Sequence, residues 1–390
     1  MKHLSSLLLL LLLCIACTSK NSIPEYSHPF PVETIAIDPE LSKESMKRKI
    51  TPNDMHHSFW VKLETSPQCL IGRIGQLQLF RDRIYILDQQ KANSLYVFDI
   101  KGNFLFQPGR PGKGPGEYYK ASHFSIDSVE NCIVIIDSEM KKAHRYNLES
   151  GKHLKSTQLD NSHYIRAGIA FDSVSYAFDQ ILINPRKGKQ QFHLLFIRND
   201  SVIGFKPLLR DHHLRTPNPF CVTNQTIYYN PIRCDTIFEI NKQGVKRGIY
   251  IDFGKYAIPR DFPYAKGVEM QAEQLQKSKY VIHISNVLET PNHFYFSYKC
   301  NGWERTVLMN KHTKTIYKDL RYAYFMPYIF IGSYGEYLIA AEYDFAENWN
   351  KGSAEFKAFI DSIQSPEHRE IVKDTQEGDN PILHFVDLNL

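Results

Sequence analysis

Short apolar runs that end in turn residues recur along most of this chain. The hexapeptide at positions 83–88, Arg-Ile-Tyr-Ile-Leu-Asp, is echoed at positions 132–137 by Cys-Ile-Val-Ile-Ile-Asp, so that the two terminal aspartates lie 49 residues apart. The next strand-like stretches of the two units end at Gly102 and Gly151, again 49 residues apart. Short strands that are bounded by turn residues and repeat about every 40–50 residues are typical of the four-stranded blades of a β-propeller.

Four fainter units follow the same plan and bring the predicted number of blades to six. They cover residues 164–205, 220–253, 280–317 and 328–390. A ring of blades has to close, because open sheet edges invite aggregation. Residues 59–64 alternate like a strand, and we expect them to complete the last blade, while residues 32–37 add a strand at an outer edge. The sequence therefore predicts an all-β fold over residues 32–390, a six-bladed β-propeller of four-stranded antiparallel blades.

Two segments interrupt the β pattern. Residues 264–279 are predicted to form a helix between the fourth and fifth blades. Residues 353–373 are predicted to form one or two helices within the sixth blade, because Phe356, Phe359 and Ile360 belong to one apolar stripe at helical spacing. This stripe is expected to pack on the propeller; the alternative is that it grips a partner.

The first residues have the pattern of a secretory signal. Lys2 gives a basic start, and residues 7–13 are an unbroken apolar run. This run is too short for a transmembrane helix, which needs about 20 residues. The end of the segment resembles a bacterial lipobox, which implies that residues 1–16 are removed and that Cys17 is lipidated. Residues 17–31 are predicted to be a flexible tether.

Composition and the predicted signal narrow the choice of partners. The formal net charge is +5, which is mild for a chain of this length, and no stripe of lysine and arginine indicates nucleic-acid binding. The signal and anchor predict that the protein lies in the cell envelope and is attached by lipid to the outer membrane. The membrane is therefore an expected partner through the anchor alone.

The cysteines do not form a disulfide framework. Five remain beyond the signal and its anchor, an odd number at wide spacing. Cys132 is expected to behave as a small apolar residue in a buried strand. Cys221 and Cys234 could face each other across one blade, and the sequence leaves open whether they are bridged.

Several stretches together resemble a known family. The segment at 109–118, Gly-Arg-Pro-Gly-Lys-Gly-Pro-Gly-Glu-Tyr, resembles part of an NHL-type repeat. More closely, the chain looks like the six-bladed β-propeller lipoproteins of Gram-negative gut anaerobes. Leu-Glu-Thr at 63–65, Leu-Ile-Gly at 70–72, Asp-Asn-Pro-Ile-Leu at 379–383 and the helical insertion match that group as well. The resemblance spans residues 32–390 and implies the propeller fold, but no particular chemistry.

The glycine-rich segment 109–116 is predicted to be a tight crossing between two blades. It lacks the Gly-Lys-Ser/Thr ending of a phosphate loop, and it precedes a strand where a nucleotide site needs a helix. Such crossings usually line one mouth of a propeller. We therefore expect polar and aromatic side chains of the first three blades to form a ligand-binding rim. The predicted rim residues are Arg110, Lys113, Glu117, Tyr118, His163, Tyr164 and Arg166.

No motif for catalysis or metal binding stands out in the sequence. It contains no His-Glu-x-x-His, no paired Cys-x-x-Cys, no Asp-rich calcium loop and no Gly-x-Ser-x-Gly. We therefore predict no catalytic residue, no metal and no cofactor. Asp88 and Asp137 could be offered as an acid pair, but their recurrence at equivalent strand ends favours the capping of turns.

Two functional hypotheses follow from the sequence. The first is a binding module that engages a glycan, a peptide or a protein at the mouth of the funnel. The alternative is a hydrolase or lyase whose active site is assembled from several blades. Three or more His, Asp or Glu side chains meeting within about 4–5 Å in the channel would favour the enzyme. A channel plugged by aromatic and aliphatic side chains would count against it.

Overall fold

A computed structural model describes most of the chain, and its regular structure is mainly β-strand. The described residues are 23–40, 49–50, 54–159, 165–180, 192–199, 201–207, 218–232, 234–259, 261–265, 267–322, 329–343, 352, 354, 357–358, 371 and 374–390. Three strands precede the first blade: β1 (Val32–Ala36), β2 (Lys49–Ile50) and β3 (Met55–Lys62). The prediction of an all-β fold is confirmed.

Six four-stranded antiparallel blades make up the described part of the chain. Blade 1 contains β4 (Gln76–Phe80), β5 (Arg83–Asp88), β6 (Ser94–Asp99) and β7 (Phe104–Phe106). Blade 2 contains β8 (Ala121–Asp127), β9 (Cys132–Asp137), β10 (Lys142–Asn147) and β11 (His153–Gln158). Blade 3 contains β12 (Ile165–Ala170), β13 (Ser175–Gln180), β14 (Leu194–Arg198) and β15 (Ser201–Phe205).

The last three blades follow the same order. Blade 4 contains β16 (Phe220–Thr223), β17 (Thr226–Tyr229), β18 (Thr236–Asn241) and β19 (Gly244–Asp252). Blade 5 contains β20 (Val281–Glu289), β21 (His293–Cys300), β22 (Trp303–Asn310) and β23 (Ile316–Lys318). The short β24 (Arg321–Tyr322) pairs in parallel with β2. Blade 6 contains β25 (Phe330–Tyr334), β26 (Tyr337–Glu342), β27 (Ile382–Leu388) and β3. The first strands of the six blades contact one another around the centre of the ring.

The core of the described chain consists of six clusters of buried apolar side chains, one between each pair of neighbouring blades. Successive residues of a strand point to opposite faces of its sheet. In β5, Ile84 and Ile86 therefore pack toward blade 6, whereas Tyr85 and Leu87 pack toward blade 2. Burial on both faces explains why this strand is a continuous apolar run rather than an alternating one.

The ring closes through strands from the two ends of the propeller sequence. β3 pairs antiparallel with β27, from Lys62 opposite Ile382 to Met55 opposite Leu388, and so supplies the outermost strand of blade 6. β1 pairs in parallel with β19 at the outer edge of blade 4. Both predictions, the completion of the last blade and the added outer strand, are confirmed.

A buried asparagine ties these two parts of the chain together. Asn380 is 3% exposed. Its Nδ2 donates to the carbonyl oxygens of Glu64 at 2.6 Å and Cys69 at 2.7 Å, and its Oδ1 accepts from the backbone amide of Ile71 at 2.8 Å. Three of the stretches that carry the family resemblance therefore meet at one place, the junction of blades 6 and 1.

Residues 24–31 lie along the outer edges of blades 3 and 4. Backbone hydrogen bonds join the start of this segment to β15. The rings of Tyr26 and Phe30 pack edge-on against Phe205, at centroid distances of 5.9 and 6.2 Å. The flexible tether predicted for this part of the chain is therefore wrong here, because two aromatic side chains hold the backbone to the blades. The predicted lipidation site, Cys17, lies outside the described residues.

The helix predicted between blades 4 and 5 is present in a shorter form. α1 (Val268–Gln276) begins after Gly267, whose φ is +104°. The helical insertion predicted within blade 6, at 353–373, lies mostly outside the described residues. In the described ranges no helix is long and apolar enough to cross a membrane.

Cys221 and Cys234 do not form a disulfide. Cys221 packs against the cluster between blades 4 and 5, whereas Cys234 belongs to the cluster between blades 3 and 4. Side chains on opposite faces of one sheet point apart, which disulfide geometry does not allow. Burial raises the pKa of the Cys221 thiol to about 11. Cys132 is buried in β9, as predicted.

Candidate functional site

The two ends of the propeller differ in the length of their connections. At one end, which we call the turn face, connections of two to five residues join strands within a blade, such as 81–82 and 148–152. At the other end, the loop face, the innermost strands begin, and the connections include 107–120, 206–219 and 253–280. Long connections on a rigid scaffold are where binding residues concentrate. The loop face is therefore the candidate functional site.

Asp88 and Asp137 cap turns on the loop face. Oδ1 of Asp88 accepts from the backbone amide of Lys91 at 2.8 Å, and its Oδ2 accepts from the amide of Gly72, also at 2.8 Å. Asp137 makes the equivalent bonds in blade 2, to its own turn and to the amide of Tyr119. In each aspartate, one carboxylate oxygen accepts from the turn that follows the strand, and the other accepts from the segment that leads into the blade. The predicted capping role is confirmed.

The glycine-rich crossing at 107–120 lies against the outer strands of blade 2. Gly109 and Gly116 have φ values of +65° and +72°, in the left-handed region that favours glycine. A β-carbon on Gly109 would lie 2.6 Å from the hydroxyl of Tyr146, and one on Gly116 would lie 2.7 Å from the ring of His153. The tight crossing predicted from the sequence is confirmed, and it runs beside β10 and β11.

Four of the predicted rim residues belong to this crossing. The exposed Arg110 donates from Nε to Glu117 at 2.6 Å. The ammonium of Lys113 lies 5.2 Å from the centre of the exposed Tyr119 ring. Tyr118 requires a correction: it is fully buried in the cluster between blades 1 and 2. Its ring is part of the core and is not accessible to a ligand, because the crossing turns it inward.

Arg166 occupies a β-bulge near the start of the innermost strand of blade 3. The pairing of β12 with β13 shifts between Ile165 and Ala167, so Arg166 has no partner in the ladder. The same position is bulged in blades 2, 5 and 6. The bulged residues there are Ser122, Ile282 and Ile331. A bulge re-aims the side chain that it carries. The remaining predicted rim residues, His163 and Tyr164, lie outside the described residues.

A buried aspartate and a buried tyrosine hold Arg166 in place. Arg166 Nε lies 2.6 Å from Oδ2 of Asp179, and Nη2 contacts the same oxygen. The hydroxyl of Tyr229 donates to Oδ1 at 2.8 Å. Burial raises the pKa of the Asp179 carboxyl, and Arg166 and Tyr229 oppose that rise. Sequence reasoning missed Asp179 and Tyr229, because only the fold brings β13 and β17 next to Arg166.

His283, on β20 of blade 5, lies within electrostatic range of Arg166. Burial, with the charges of Arg166 and Lys299, lowers the pKa of His283 to about 4. Its Nδ1 is buried without a hydrogen-bond partner among the described residues. Beside it, the amide nitrogen of Asn230 donates to the carbonyl of Ile284. Blades 3 to 5 therefore bring polar groups to the loop face that strand pairing does not use.

Comparison with known protein families identifies a match that covers most of the chain. Residues 47–387 match a family described as a domain of unknown function, DUF4934. The chain belongs to the DUF4934 family. No curated protein matches it.

Two crystal structures resemble this DUF4934 propeller. A Bacteroides fragilis protein described as exported is similar over 92% of this chain and 100% of its own, with a TM-score of 0.65 and 18% identity. A DUF4221 family member from Bacteroides vulgatus is similar over 85% of this chain and 96% of its own, with a TM-score of 0.51 and 11% identity. At these identities the likeness shows the fold alone.

Side chains from blades that are not neighbours meet near the centre of the DUF4934 ring. Toward the loop face, Nδ2 of Asn218, just before blade 4, donates to the carbonyl of Gly75, just before blade 1, at 3.2 Å. Toward the turn face, the hydroxyls of Thr223 in blade 4 and Ser333 in blade 6 hydrogen-bond. Among the described residues no three His, Cys, Asp or Glu side chains are grouped so as to hold a metal. Polar side chains therefore bridge the centre of the ring at two levels.

Proposed function

We propose that this protein is an exported, lipid-anchored binding module that takes a glycan, peptide or protein ligand on its loop face. The signal-like first residues and the lipobox-like sequence before Cys17 support export and attachment to the outer membrane. The similar Bacteroides fragilis structure is of a protein described as exported, which supports the same location. The exposed cations Arg110 and Lys113 support a recognition role for the crossing that carries them.

The difference between the two ends of the propeller is the observation that carries the binding proposal. The turn face is made of connections of two to five residues, which leave little surface that can be shaped for a ligand. The loop face combines long connections with the fixed Arg166 guanidinium and the neutral His283 imidazole. Binding sites of this kind place a few oriented polar groups on a rigid frame.

Arrays of glycans and peptides, probed with the purified protein, test this proposal. Changing Arg110 and Lys113 to alanine removes two exposed cations from the loop face. We expect this double variant to weaken binding of an array ligand about tenfold or more, as removal of an important contact does.

The matched control changes two exposed lysines of the turn face, Lys101 and Lys242, to alanine. It removes the same charge and should leave binding unchanged. Binding that depends on the turn-face lysines and not on the loop-face pair would contradict the proposal.

A further inference from the structure

The glycine-rich crossing folds back on itself so that alternate side chains face outward. The amide of Gly112 donates to the carbonyl of Tyr118 at 2.9 Å, and the amide of Tyr118 donates to the carbonyl of Arg110 at 3.2 Å. Successive residues of an extended segment point to opposite sides. Because Tyr118 is buried between blades 1 and 2, Glu117 and Tyr119 point the other way. The outer side of the crossing therefore carries Glu117, Tyr119 and the neighbouring Arg110.

Glu117 holds Arg110 in one orientation. Its carboxylate accepts from the amide of Gly114 at 2.8 Å and from Nε of Arg110 at 2.6 Å. A β-carbon on Gly112 would overlap this carboxylate, so the glycines of the crossing make room for the pair. The Gly114 amide and the Arg110 guanidinium lower the pKa of Glu117, which keeps the carboxylate ionised.

The rest of the Arg110 guanidinium faces solvent. The Arg110 side chain is 77% exposed, and its only hydrogen bond within the described chain is the one from Nε. The edge that carries Nη1 and Nη2 is therefore open. A guanidinium that is fixed at one nitrogen and open along this edge is already oriented for a planar acceptor such as a carboxylate.

The loop face around the crossing is positively charged. The crossing at 107–120 and the neighbouring turns at 89–93 and 138–141 contain five Lys or Arg and two Glu, and all of these residues belong to the described chain. Both glutamates are already ion-paired with cations of the crossing. A surface with an excess of one charge attracts ligands of the other sign. An anionic ligand is therefore favoured here.

An exposed aromatic ring lies on the same side of the crossing. Tyr119 is 52% exposed, and the ammonium of Lys113 lies 5.2 Å from the centre of its ring. The apolar C–H face of a sugar packs on a ring of this kind, while the polar groups of the sugar stay hydrated. Arg110 and Tyr119 therefore offer a carboxylate-binding edge and a stacking surface next to each other.

We propose that the outer side of the crossing is a subsite for a carboxylate-bearing sugar residue of a glycan. The inference rests on the proposed binding function and specifies its ligand chemistry. The carboxylate would accept from Nη1 and Nη2 of Arg110, where charge-assisted, bidentate hydrogen bonds are strong and directional. The sugar ring would pack on Tyr119, and Lys113 would add a second positive charge. A uronic acid residue presents a carboxylate and an apolar ring face together.

Calorimetric titration with uronic acid trimers tests the ligand class. The probes are trigalacturonate and trimannuronate, each beside its neutral methyl ester, and acetyl-trialanine as a carboxylate without a sugar ring. We expect at least one acidic trimer to bind, and its ester and the peptide to bind more weakly by about tenfold or more. Equal binding of acid and ester, binding of neither acid, or binding of the peptide as tightly as the better trimer would overturn the inference. A neutral array ligand that depends on the loop face would still support the proposed function.

Substitutions of Arg110 and Tyr119 test the assignment to these side chains. Arg110→Lys keeps the charge but loses the planar fork, and we expect affinity for the acidic trimer to fall about tenfold while affinity for the ester is unchanged. Arg81→Lys, at an exposed, ion-paired arginine of the turn face, is the matched control and should change neither affinity. Tyr119→Ala should weaken acid and ester by a similar factor, because stacking does not depend on the carboxylate. Unchanged affinity for the acid in the Arg110 or the Tyr119 variant would refute the assignment.

Glu117→Gln tests whether Glu117 acts by positioning Arg110. The carboxylate uses both of its oxygens as acceptors, whereas glutamine has one acceptor oxygen, so the contact with Arg110 or the one with Gly114 is weakened. The substitution also makes the surface more positive. If orientation of Arg110 matters, affinity for the acidic trimer should fall about threefold or more, although the change in charge favours an anion. A rise in affinity would show that Glu117 competes with the ligand and would overturn its role as a positioning residue.

Discussion

Buried polar side chains form hydrogen bonds between neighbouring blades, whose strands do not pair with each other. Gln76 in blade 1 donates from Nε2 to the carbonyl of Phe124 in blade 2 at 2.8 Å, and its Oε1 accepts from the Phe124 amide at 3.0 Å. It thereby satisfies backbone groups of an innermost strand that are buried in the ring. Asn380 has the same role between blades 6 and 1. Removing such a side chain leaves backbone groups buried without a partner, which costs more than one hydrogen bond contributes.

Asn380→Ala should therefore destabilise the whole ring. The backbone groups of the 64–71 segment lose three hydrogen bonds at a buried site, and we expect the free energy of unfolding to fall by about 2–4 kcal/mol. Urea unfolding followed by circular dichroism measures the change. Asn103→Ala alters an exposed turn and should cost about 0.5 kcal/mol or less. Similar losses in the two variants would count against this role for Asn380.

His123 should make stability depend on pH. Burial lowers the pKa of its imidazole to about 3, an effect that Asn218 partly opposes. In the unfolded chain the pKa of a histidine is about 6.5. Because the folded pKa lies below the unfolded one, the unfolded chain takes up the proton first. The stability that this histidine contributes is then fully present above about pH 6.5 and is lost as the pH falls toward about 3. We expect a loss on the order of 3 kcal/mol between pH 7 and pH 4.

Unfolding free energies measured across this pH range test the assignment. His123→Gln should flatten the pH dependence, although His283 adds a change in the same direction. His312→Gln, at an exposed histidine of the turn face, should leave the profile as it is. An unaltered slope in His123→Gln would rule out His123 as the cause.

At the scale of elements, the segment 24–36 acts as an added strand with its own aromatic anchors. β1 extends blade 4 by parallel pairing with β19, from Val32 opposite Gly248 to Ala36 opposite Asp252. The rings of the preceding residues pack on blades 3 and 4. Without this strand, the edge of β19 would be an unpaired template for another chain.

Replacing both Tyr26 and Phe30 by alanine should loosen β1 without unfolding the ring. The backbone pairing and the buried Ile35 of β1 remain, but the aromatic contacts of the preceding residues are gone. We expect faster hydrogen exchange of the β1 and β19 amides, by about tenfold for each 1.4 kcal/mol lost, with exchange in blades 1 and 2 unchanged. Ser27→Ala, at an exposed residue of the same segment, is the control. Equal exchange in all three proteins would show that the rings do not anchor the strand.

The sequence predicted those elements whose pattern is local. The strands of blades 1 and 2 were recognisable because burial on both faces makes them continuous apolar runs, and the recurring aspartates marked their turns. The anchoring of residues 24–31 was missed because Tyr26 and Phe30 are isolated aromatics in a proline-containing segment, and their partner Phe205 is distant in sequence. The start of α1 was predicted four residues early, since its capping residue, Gly267, gives a weak signal.

At the scale of the whole molecule, the candidate site depends on contacts between blades. Arg166 was predicted as a rim residue from its place before a strand, but neither the bulge nor the ion pair could be inferred, because both depend on pairing between strands. Tyr229 comes from the neighbouring blade, 63 positions after Arg166. The inward turn of Tyr118 was missed because a tyrosine on a crossing can point either to solvent or between blades.

The closure of blade 6 has a consequence for the time course of folding. Ser58 pairs with Val386, which lies 328 positions later in the chain. Bringing the ends of so long a segment together costs about 5 kcal/mol of chain entropy, and contacts at large sequence separation slow folding. Blades 1 to 5 assemble from neighbouring hairpins, so we expect them to form early and β3 to join β27 last. Until then β27 is an open edge, and during that interval the chain is most exposed to pairing with another copy of itself.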